Sequence, residues 1–172
     1  KIVIVGAGVM GQGLAEAIAA TGQEVTLVDR TTKIAERGIK RISESMDREI
    51  KRWGLTKADK KAILARIHPS SDLSVAEEAE IILEAIHEDL EKKRSLFEKL
   101  DSICNQEAIL VTNTGTISVS EIASATIRPH KVIGMHFLNP VTKIPLVEIV
   151  KGLKTDDATF QRAVAFANLL EK

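Results

Sequence analysis

The first 29 residues constrain the fold of this 172-residue chain more than any other segment. Residues 2–5 (IVIV) are short, apolar and β-branched, which predicts a parallel strand buried on both faces. A loop of spacing G-x-G-x-x-G follows over residues 6–11, and then a helical pattern that stops at Gly22. Residues 24–29 predict the next strand. Together these segments predict a βαβ unit of about 30 residues.

Strand and helix patterns alternate through the rest of the chain. Further strands are expected over 66–69, 79–86, 107–112, 131–137 and 145–150, and helices over 88–103 and 156–172. Residues 31–66 have mixed charges and helical periodicity, which predict two helices joined at Gly54, after the break that begins at Trp53, with Thr56 as the cap of the second. The alternation indicates an α/β fold. We expect a Rossmann-type, doubly wound, mostly parallel sheet with a helical hairpin inserted after strand 2.

Composition excludes several classes of function. The formal net charge is zero, so nucleic-acid binding by bulk electrostatics is not expected. The single cysteine, Cys104, rules out an internal disulfide and any CxxC metal site, and is expected to be buried. No apolar run reaches the ~20 residues that span a bilayer, and no targeting signal precedes the glycine loop. We therefore expect no membrane partner and a cytoplasmic location, with the mitochondrial matrix as the alternative.

The glycine loop has the context of a dinucleotide site, since it follows a buried strand and opens a helix. Gly6 permits a tight turn, Gly8 lets the backbone approach a pyrophosphate, and Gly11 allows close packing of the helix. Asp29 ends the second strand, where a carboxylate suits a ribose 2′-hydroxyl and repels a 2′-phosphate. NAD is therefore the expected cofactor, although Arg30 beside it slightly weakens the preference over NADP.

Two residues near the C-terminal end can supply acid–base chemistry. His136 lies near the end of one predicted strand and Glu148 on the next. Ligands of parallel sheets bind at the carboxyl ends of strands, so this histidine is placed to take a hydroxyl proton, with the glutamate orienting it. A buried core histidine and an edge-strand glutamate are the alternative. The other histidines and acids have no metal-site spacing, so no metal is expected.

At this point the chain resembles a known family. The segments that carry the resemblance are GAGVMG (6–11), EAIHE (84–88), NTGT (113–116), HFLNP (136–140) and LVE (146–148). In this order they resemble the NAD-binding domain of the 3-hydroxyacyl-CoA dehydrogenases, including 3-hydroxybutyryl-CoA dehydrogenases, over essentially the whole chain. HFxNP with the LVE that follows is the most specific part.

The resemblance implies reversible NAD-linked interconversion of an L-3-hydroxyacyl-CoA and a 3-ketoacyl-CoA. His136 would then be the general base or acid and Glu148 the residue that orients it. The resemblance also implies cofactor-binding residues, namely Gly6, Gly8, Val9, Met10, Gly11, Asp29, Arg30, Glu88, Lys93 and Asn113. It implies substrate contacts at Asn113, Gly115 and Asn139. The helical hairpin would help hold CoA, with Lys40, Arg41, Arg48 and Lys51 left undecided as its phosphate ligand.

Two departures from the family pattern stand out. Gly115 occupies the position of a serine that contacts substrate and cofactor, so one hydrogen bond is missing, at a cost of about 1.5–3 kcal/mol if it is charge-assisted. The family also has a following all-helical domain that dimerises and closes over the substrate. We therefore expect a single NAD-binding domain over 1–172, with homodimerisation of the whole protein through a domain absent here, and weak turnover by this chain alone.

Two other functions stay open at this stage. The chain could belong to a dehydrogenase of free 3-hydroxyacids, since many of those also carry GxGxMG, although they rely on a lysine later in the chain. It could also be a catalytically silent nucleotide-binding or structural module, which Gly115 makes more plausible.

Overall fold

The computed structural model describes residues 1–52 and 54–172, and Trp53 lies outside the described residues. The strands are Ile2–Val5 (β1), Val25–Val28 (β2), Ile67–Ser70 (β3), Ile81–Glu84 (β4), Ile109–Thr112 (β5), Val132–Phe137 (β6) and Val147–Lys151 (β7). The α-helices are Val9–Ala20 (α1), Thr32–Lys51 (α2), Lys57–Leu64 (α3), Leu90–Ile103 (α4), Val119–Ala123 (α5) and Asp157–Leu169 (α6).

All seven strands form one sheet of order β3-β2-β1-β4-β5-β6-β7. The first six are mutually parallel, and β7 pairs antiparallel with β6 at the edge. The expected doubly wound, mostly parallel α/β fold is thus confirmed. The strand order reverses between β1 and β4, and this reversal opens a crevice at the carboxyl ends of the strands.

Helices cover both faces of the sheet because the apolar side chains of each buried strand alternate between the faces. Ile2 and Ile4 of β1 share one core with residues of α1, α2, α3 and α6. Val3 and Val5 share a second core with residues of α4 and α5. Cys104 lies in this second core and is buried, as predicted. Because helices cover both faces of the sheet, a ligand is expected to bind at the carboxyl ends of the strands.

The inserted hairpin consists of α2 and α3, as the mixed-charge pattern predicted. Thr56 caps α3 through a complete capping box: its side chain accepts from the backbone N–H of Asp59, whose carboxylate accepts from the backbone N–H of Thr56. The caps therefore set the boundaries of the hairpin locally, and its buried residues, among them Ile42, Met46 and Ile63, hold it against the sheet.

Three short elements were not predicted, namely α5 and two 3-10 helices, over Leu73–Glu78 and Pro129–Lys131. Segments of three to six residues are too short to show helical periodicity. The packing of Ala76, Val119 and Ile122 in the core defines α5 and the helix over Leu73–Glu78 instead. Across residues 1–52 and 54–172, no helix combines the length and hydrophobicity needed to cross a membrane.

Candidate active site

The glycine loop between β1 and α1 has a geometry that side chains would block. Gly6 has φ +113°, and a Cβ there would lie 2.5 Å from the carbonyl oxygen of Ala85. A Cβ on Gly11 would lie 1.8 Å from the carbonyl oxygen of Gly6. At Gly8 a Cβ would meet nothing within 4 Å, so the backbone faces open space. Gly6 and Gly11 therefore shape the turn, and Gly8 exposes it to a ligand.

The start of α1 adds electrostatic attraction for an anion. Gly8 is the N-cap, and the first turn, which begins with exposed Val9 and half-buried Met10, contains no acidic residue. Free backbone N–H groups and the helix dipole favour negative charge at this position. The residues present thus fit a pyrophosphate group.

Asp29 lies at the end of β2, beside the loop. Its Oδ2 accepts a hydrogen bond of 2.8 Å from the backbone N–H of Ala7, and its Oδ1 accepts one of 2.7 Å from that of Arg30. The two bonds fix the carboxylate at the rim of a cleft of about 640 Å³. That cleft is lined by Val5, Gly6, Gly8, Val28, Asp29, Arg30, Ser71, Leu73, Ala85, Ile86, His87, Lys92 and Leu96.

The structure brings His136 and Glu148 together. They are directly opposed in the antiparallel register of β6 and β7, and His136 Nδ1 lies 2.7 Å from Glu148 Oε2. The side chains are 31% and 60% exposed, respectively. Met135 and Phe137 point into the core, so the alternation of the strand turns the histidine to the other face. An imidazole bound through Nδ1 presents its Nε2 to a reactant.

The turn after β5 reaches the same end of the sheet. Asn113 Oδ1 accepts a 3.0 Å hydrogen bond from the backbone N–H of Phe137, next to the histidine. A Cβ on Gly115 would lie 2.7 Å from His136 Nε2. Asn113 and Gly115 are therefore neighbours of the His136–Glu148 pair.

Lys93 was expected to contact the cofactor, but its side chain is fully buried. Its Nζ lies 2.7 and 2.8 Å from the two carboxylate oxygens of Glu84, 3.1 Å from Glu88 Oε2 and 3.4 Å from the carbonyl oxygen of Asn113. An ammonium has three donors, and these protein oxygens can take all of them. In this arrangement the lysine binds other protein groups and connects β4 to the 113–116 turn.

Glu84 is a buried residue beside the candidate site that the sequence reasoning missed. Its carboxylate is fully buried and accepts four hydrogen bonds, from Lys93 Nζ twice, the backbone N–H of Ile86 and the hydroxyl of Thr112. Burial raises the pKa of this carboxyl group, and the Lys93 ammonium opposes the rise. A carboxylate inside the apolar run of β4 was the available signal, because such a group must have a partner.

Glu88 lies between this buried pair and the turn. Partial burial disfavours its charge, but hydrogen bonds from the hydroxyls of Thr114 and Thr116 and the pairing with Lys93 outweigh burial and lower its pKa. Glu88 is therefore held as an anion at the cofactor end of the sheet. The hydroxyl of Thr116 is directed to Glu88, so it does not replace the hydroxyl missing at Gly115.

Asn139 is placed differently from the other expected substrate contacts. It is exposed and lines a second cleft, of about 310 Å³, between α1, α2 and the loop after β6. Arg41 and Arg48 line this cleft as well, whereas Lys40 and Lys51 are not among its lining residues. The structure thus separates the four basic residues that the sequence left undecided into two pairs.

The other histidines lie elsewhere. His68 Nε2 pairs with Glu24 at 2.6 Å on the opposite edge of the sheet, and His87 lines the nucleotide cleft. Among the described residues, no group of three or more histidine, cysteine or acidic side chains is placed to hold a metal ion.

Comparison with known proteins identifies the family. Residues 1–172 match the family described as 3-hydroxyacyl-CoA dehydrogenase, NAD binding domain. A probable 3-hydroxybutyryl-CoA dehydrogenase of Bacillus subtilis is 39% identical over 100% of this chain and 60% of its own length. The mitochondrial hydroxyacyl-coenzyme A dehydrogenase of Rattus norvegicus is 36% identical over 99% of this chain and 56% of its own length.

Solved structures agree with this result. The crystal structure of (S)-3-hydroxybutyryl-CoA dehydrogenase from Ralstonia eutropha has a TM-score of 0.96 at 38% identity, over 99% of this chain and 60% of that one. The chain spans about three fifths of the length of the Bacillus subtilis and Ralstonia eutropha relatives. It belongs to the 3-hydroxyacyl-CoA dehydrogenase family, in which it corresponds to the NAD-binding domain.

Proposed function

We propose that this chain is the catalytic NAD-binding part of an enzyme that interconverts L-3-hydroxyacyl-CoA and 3-ketoacyl-CoA. The observation that carries the proposal is the His136–Glu148 pair, 2.7 Å apart across β6 and β7 in an NAD-binding domain. A structural module has no need of a histidine that is about one third exposed and held by a carboxylate at the ligand end of a sheet.

The glycine loop, the start of α1 and Asp29 are the proposed cofactor-binding residues. Gly6, Gly8, Val9, Met10 and Gly11 would face the pyrophosphate, and Asp29 with Arg30 the adenosine ribose. β1 and β6 are three strand spacings apart, each of about 4.8 Å. A dinucleotide extended along this edge would reach Glu88 and Asn113 before the histidine.

The proposed reaction depends on one proton and one hydride. When bound, NAD supplies the acceptor for the hydride that leaves the carbinol carbon of the substrate. His136 Nε2 takes the hydroxyl proton in the direction of oxidation and returns it in the direction of reduction. Glu148 keeps the proton of the neutral ring on Nδ1 and stabilises the imidazolium that forms. The ring nitrogen that faces the substrate is thus free to accept.

The basic residues of the second cleft suggest where the CoA part binds. Arg41 and Arg48 of α2 line the same cleft as Asn139 and Pro140, which come three and four residues after His136; Glu16 and Glu44 line it as well. Guanidinium groups bind phosphate through paired hydrogen bonds. We propose that these arginines, rather than Lys40 or Lys51, meet phosphate groups of CoA, while Asn139 contacts the thioester part.

The whole protein's activity and assembly are part of the same proposal. Because the relatives extend beyond the region matched here, we expect this chain to bind NAD well but to turn over slowly by itself. We expect the homodimer of the whole protein to form through its further domain.

His136→Ala in the whole protein tests the reaction, measured as oxidation of NADH by acetoacetyl-CoA. Loss of a general acid should lower kcat by about 10²- to 10⁴-fold, whereas the Kd for NADH should change little. His68→Ala is a matched control, since His68 is also paired with a glutamate but lies on the far edge of the sheet. It should leave kcat unchanged.

Three outcomes would contradict the proposal. An unchanged kcat in His136→Ala would show that His136 is not the general base. Activity with free acetoacetate but not with acetoacetyl-CoA would indicate a dehydrogenase of free hydroxyacids. Calorimetry that shows no heat with either NADH or acetoacetyl-CoA would indicate a structural module.

A further inference from the structure

The contact between Gly115 and His136 has a consequence beyond the family pattern. A Cβ built on Gly115 would lie 2.7 Å from Nε2, 2.8 Å from Cε1 and 3.2 Å from Cδ2 of the imidazole. Real Cβ atoms do not approach other atoms as closely as the first two distances. The ring therefore occupies the space that any side chain at position 115 would enter.

The backbone itself does not require glycine here. Gly6 and Gly22 are the glycines with positive φ among the described residues, and Gly115 is outside that group. Alanine or serine could adopt the backbone conformation of residue 115 without strain. The conflict lies with the histidine alone.

The turn is held on several sides, so the imidazole would have to move. Asn113 binds the backbone N–H of Phe137 through its side chain and the carbonyl of Glu84 through its own N–H. Thr114 accepts from the backbone N–H of Ile117 at 3.0 Å and donates to Glu88. The imidazole, in contrast, is the far end of a side chain, held by one bond to a 60% exposed glutamate.

We propose that Gly115 is a positioning residue for His136: the absence of a side chain at 115 lets the imidazole lie against the turn while Nδ1 stays on Glu148. The role of the histidine in this statement rests on the proposed function. A methyl group at 115 pushes the ring outward, which lengthens its bond to Glu148 and displaces Nε2 from the reacting oxygen. A serine at 115, which the family pattern implies for this position, would displace the ring in the same way.

A double-mutant cycle tests the contact without any activity measurement. Gly→Ala at a position with compatible backbone stabilises a protein through its unfolded state. Gly115→Ala should therefore raise the urea midpoint in the His136→Ala background, where the ring is gone, and fail to raise it when His136 is present. An equal increase in both backgrounds would overturn the proposal.

Ring-nitrogen NMR shifts of His136 give the second measurement. In the unmodified chain the neutral ring should carry its proton on Nδ1, and in Gly115→Ala the signals should move toward a mixture of the two tautomers. Unchanged signals would overturn the proposal. If Gly115→Ala does not fold, the double variant with His136→Ala should recover folding, and failure of both to fold would also count against it.

Activity provides the third measurement and separates the Cβ from the hydroxyl. Gly115→Ala and Gly115→Ser should both lower kcat, by up to about 10²-fold for a displacement near 1 Å, with little change in the KM for NADH. A Gly115→Ser variant with raised kcat would overturn the proposal. If His136→Ala itself retains activity, the proposed function fails. The double-mutant cycle and the NMR shifts would still show whether Gly115 positions the His136 ring.

Discussion

At the scale of single residues, Glu84 and Lys93 form a fully buried ion pair, in which each charge needs the other. Both side chains are fully buried; their charges pair with each other, Glu88 lies 3.1 Å from Lys93 Nζ, and the Thr112 hydroxyl donates a hydrogen bond to Glu84. Removing one partner of a buried ion pair leaves the other charge without compensation, and this costs far more than the loss of a surface pair. The pair therefore links β4, α4 and the 113–116 turn into one unit.

Glu84→Gln is expected to lower the free energy of unfolding by about 3–5 kcal/mol, near the lower end because Glu88 stays close to Lys93. Urea unfolding measures the loss. Glu107→Gln is the matched control, since Glu107 is 85% exposed and pairs with Lys131 at the surface, and its change should stay within about 1 kcal/mol. Equal losses in the two variants would contradict the role of the buried pair.

At the scale of elements, aspartates define the starts of several helices. Asp89 caps α4 and Asp156 caps α6, each accepting a hydrogen bond from a backbone N–H three residues later. The bond from Lys92 N–H, followed by the Lys92 side chain, lowers the pKa of Asp89. For Asp156 slight burial opposes ionisation, but bonds from Thr159 prevail and lower the pKa. Because their pKa values are lowered, these caps stabilise the fold more in the ionised form than in the protonated form.

The sign of the pH dependence follows from linkage. A carboxylate with a lowered pKa contributes its stability above the pKa of the unfolded chain, and this stability is lost as the pH falls through the folded value. At neutral pH, Asp89→Asn should leave the urea midpoint of unfolding unchanged, because asparagine also caps helices. It should weaken the decline of the midpoint below about pH 4, the ordinary carboxyl range.

Urea unfolding of the Asp89→Asn variant over a pH series measures this effect. Asp89→Asn with Asp156→Asn should weaken the acid decline further, since the two caps act on different helices. An acid decline identical to that of the unmodified chain would show that Asp89 titrates alike in both states.

At the scale of the whole molecule, the reversal of strand order brings distant segments of sequence to one edge. The glycine loop, Asp29, the Glu88 region and the 113–116 turn follow four different parallel strands, and His136 lies at the end of a fifth. A ligand that binds along this edge contacts segments from across the sheet. Its binding is therefore coupled to the stability of the whole domain.

Cofactor binding should raise the stability of the domain by a calculable amount. NADH at 100 times its Kd adds about 2.7 kcal/mol, or about 5–10 °C in Tm for a domain of this size. NADPH at the same concentration should add less, because its 2′-phosphate meets the Asp29 carboxylate. Thermal unfolding with each nucleotide compares the two, and an equal rise in Tm would show that Asp29 does not discriminate.

Much of the fold could be predicted because its signals are local. The buried strand, the glycine spacing and the cap at Thr56 each act within a few residues, and the structure has them where the pattern indicates. The short α5 and the 3-10 helix at 73–78 could not be predicted, since they depend on contacts in the second core.

For the candidate site, the sequence by itself determined the chemistry available: a nucleotide loop, a carboxylate for a ribose, and a histidine and a glutamate twelve positions apart. Only the tertiary structure decided the distances. The antiparallel register of β6 and β7 placed His136 opposite Glu148, and the turn after β5 brought Gly115 against the same ring. Lys93 was buried in the same way, by folding onto Glu84. The sequence specifies the residue types directly, but contacts between separate strands depend on how the whole sheet packs.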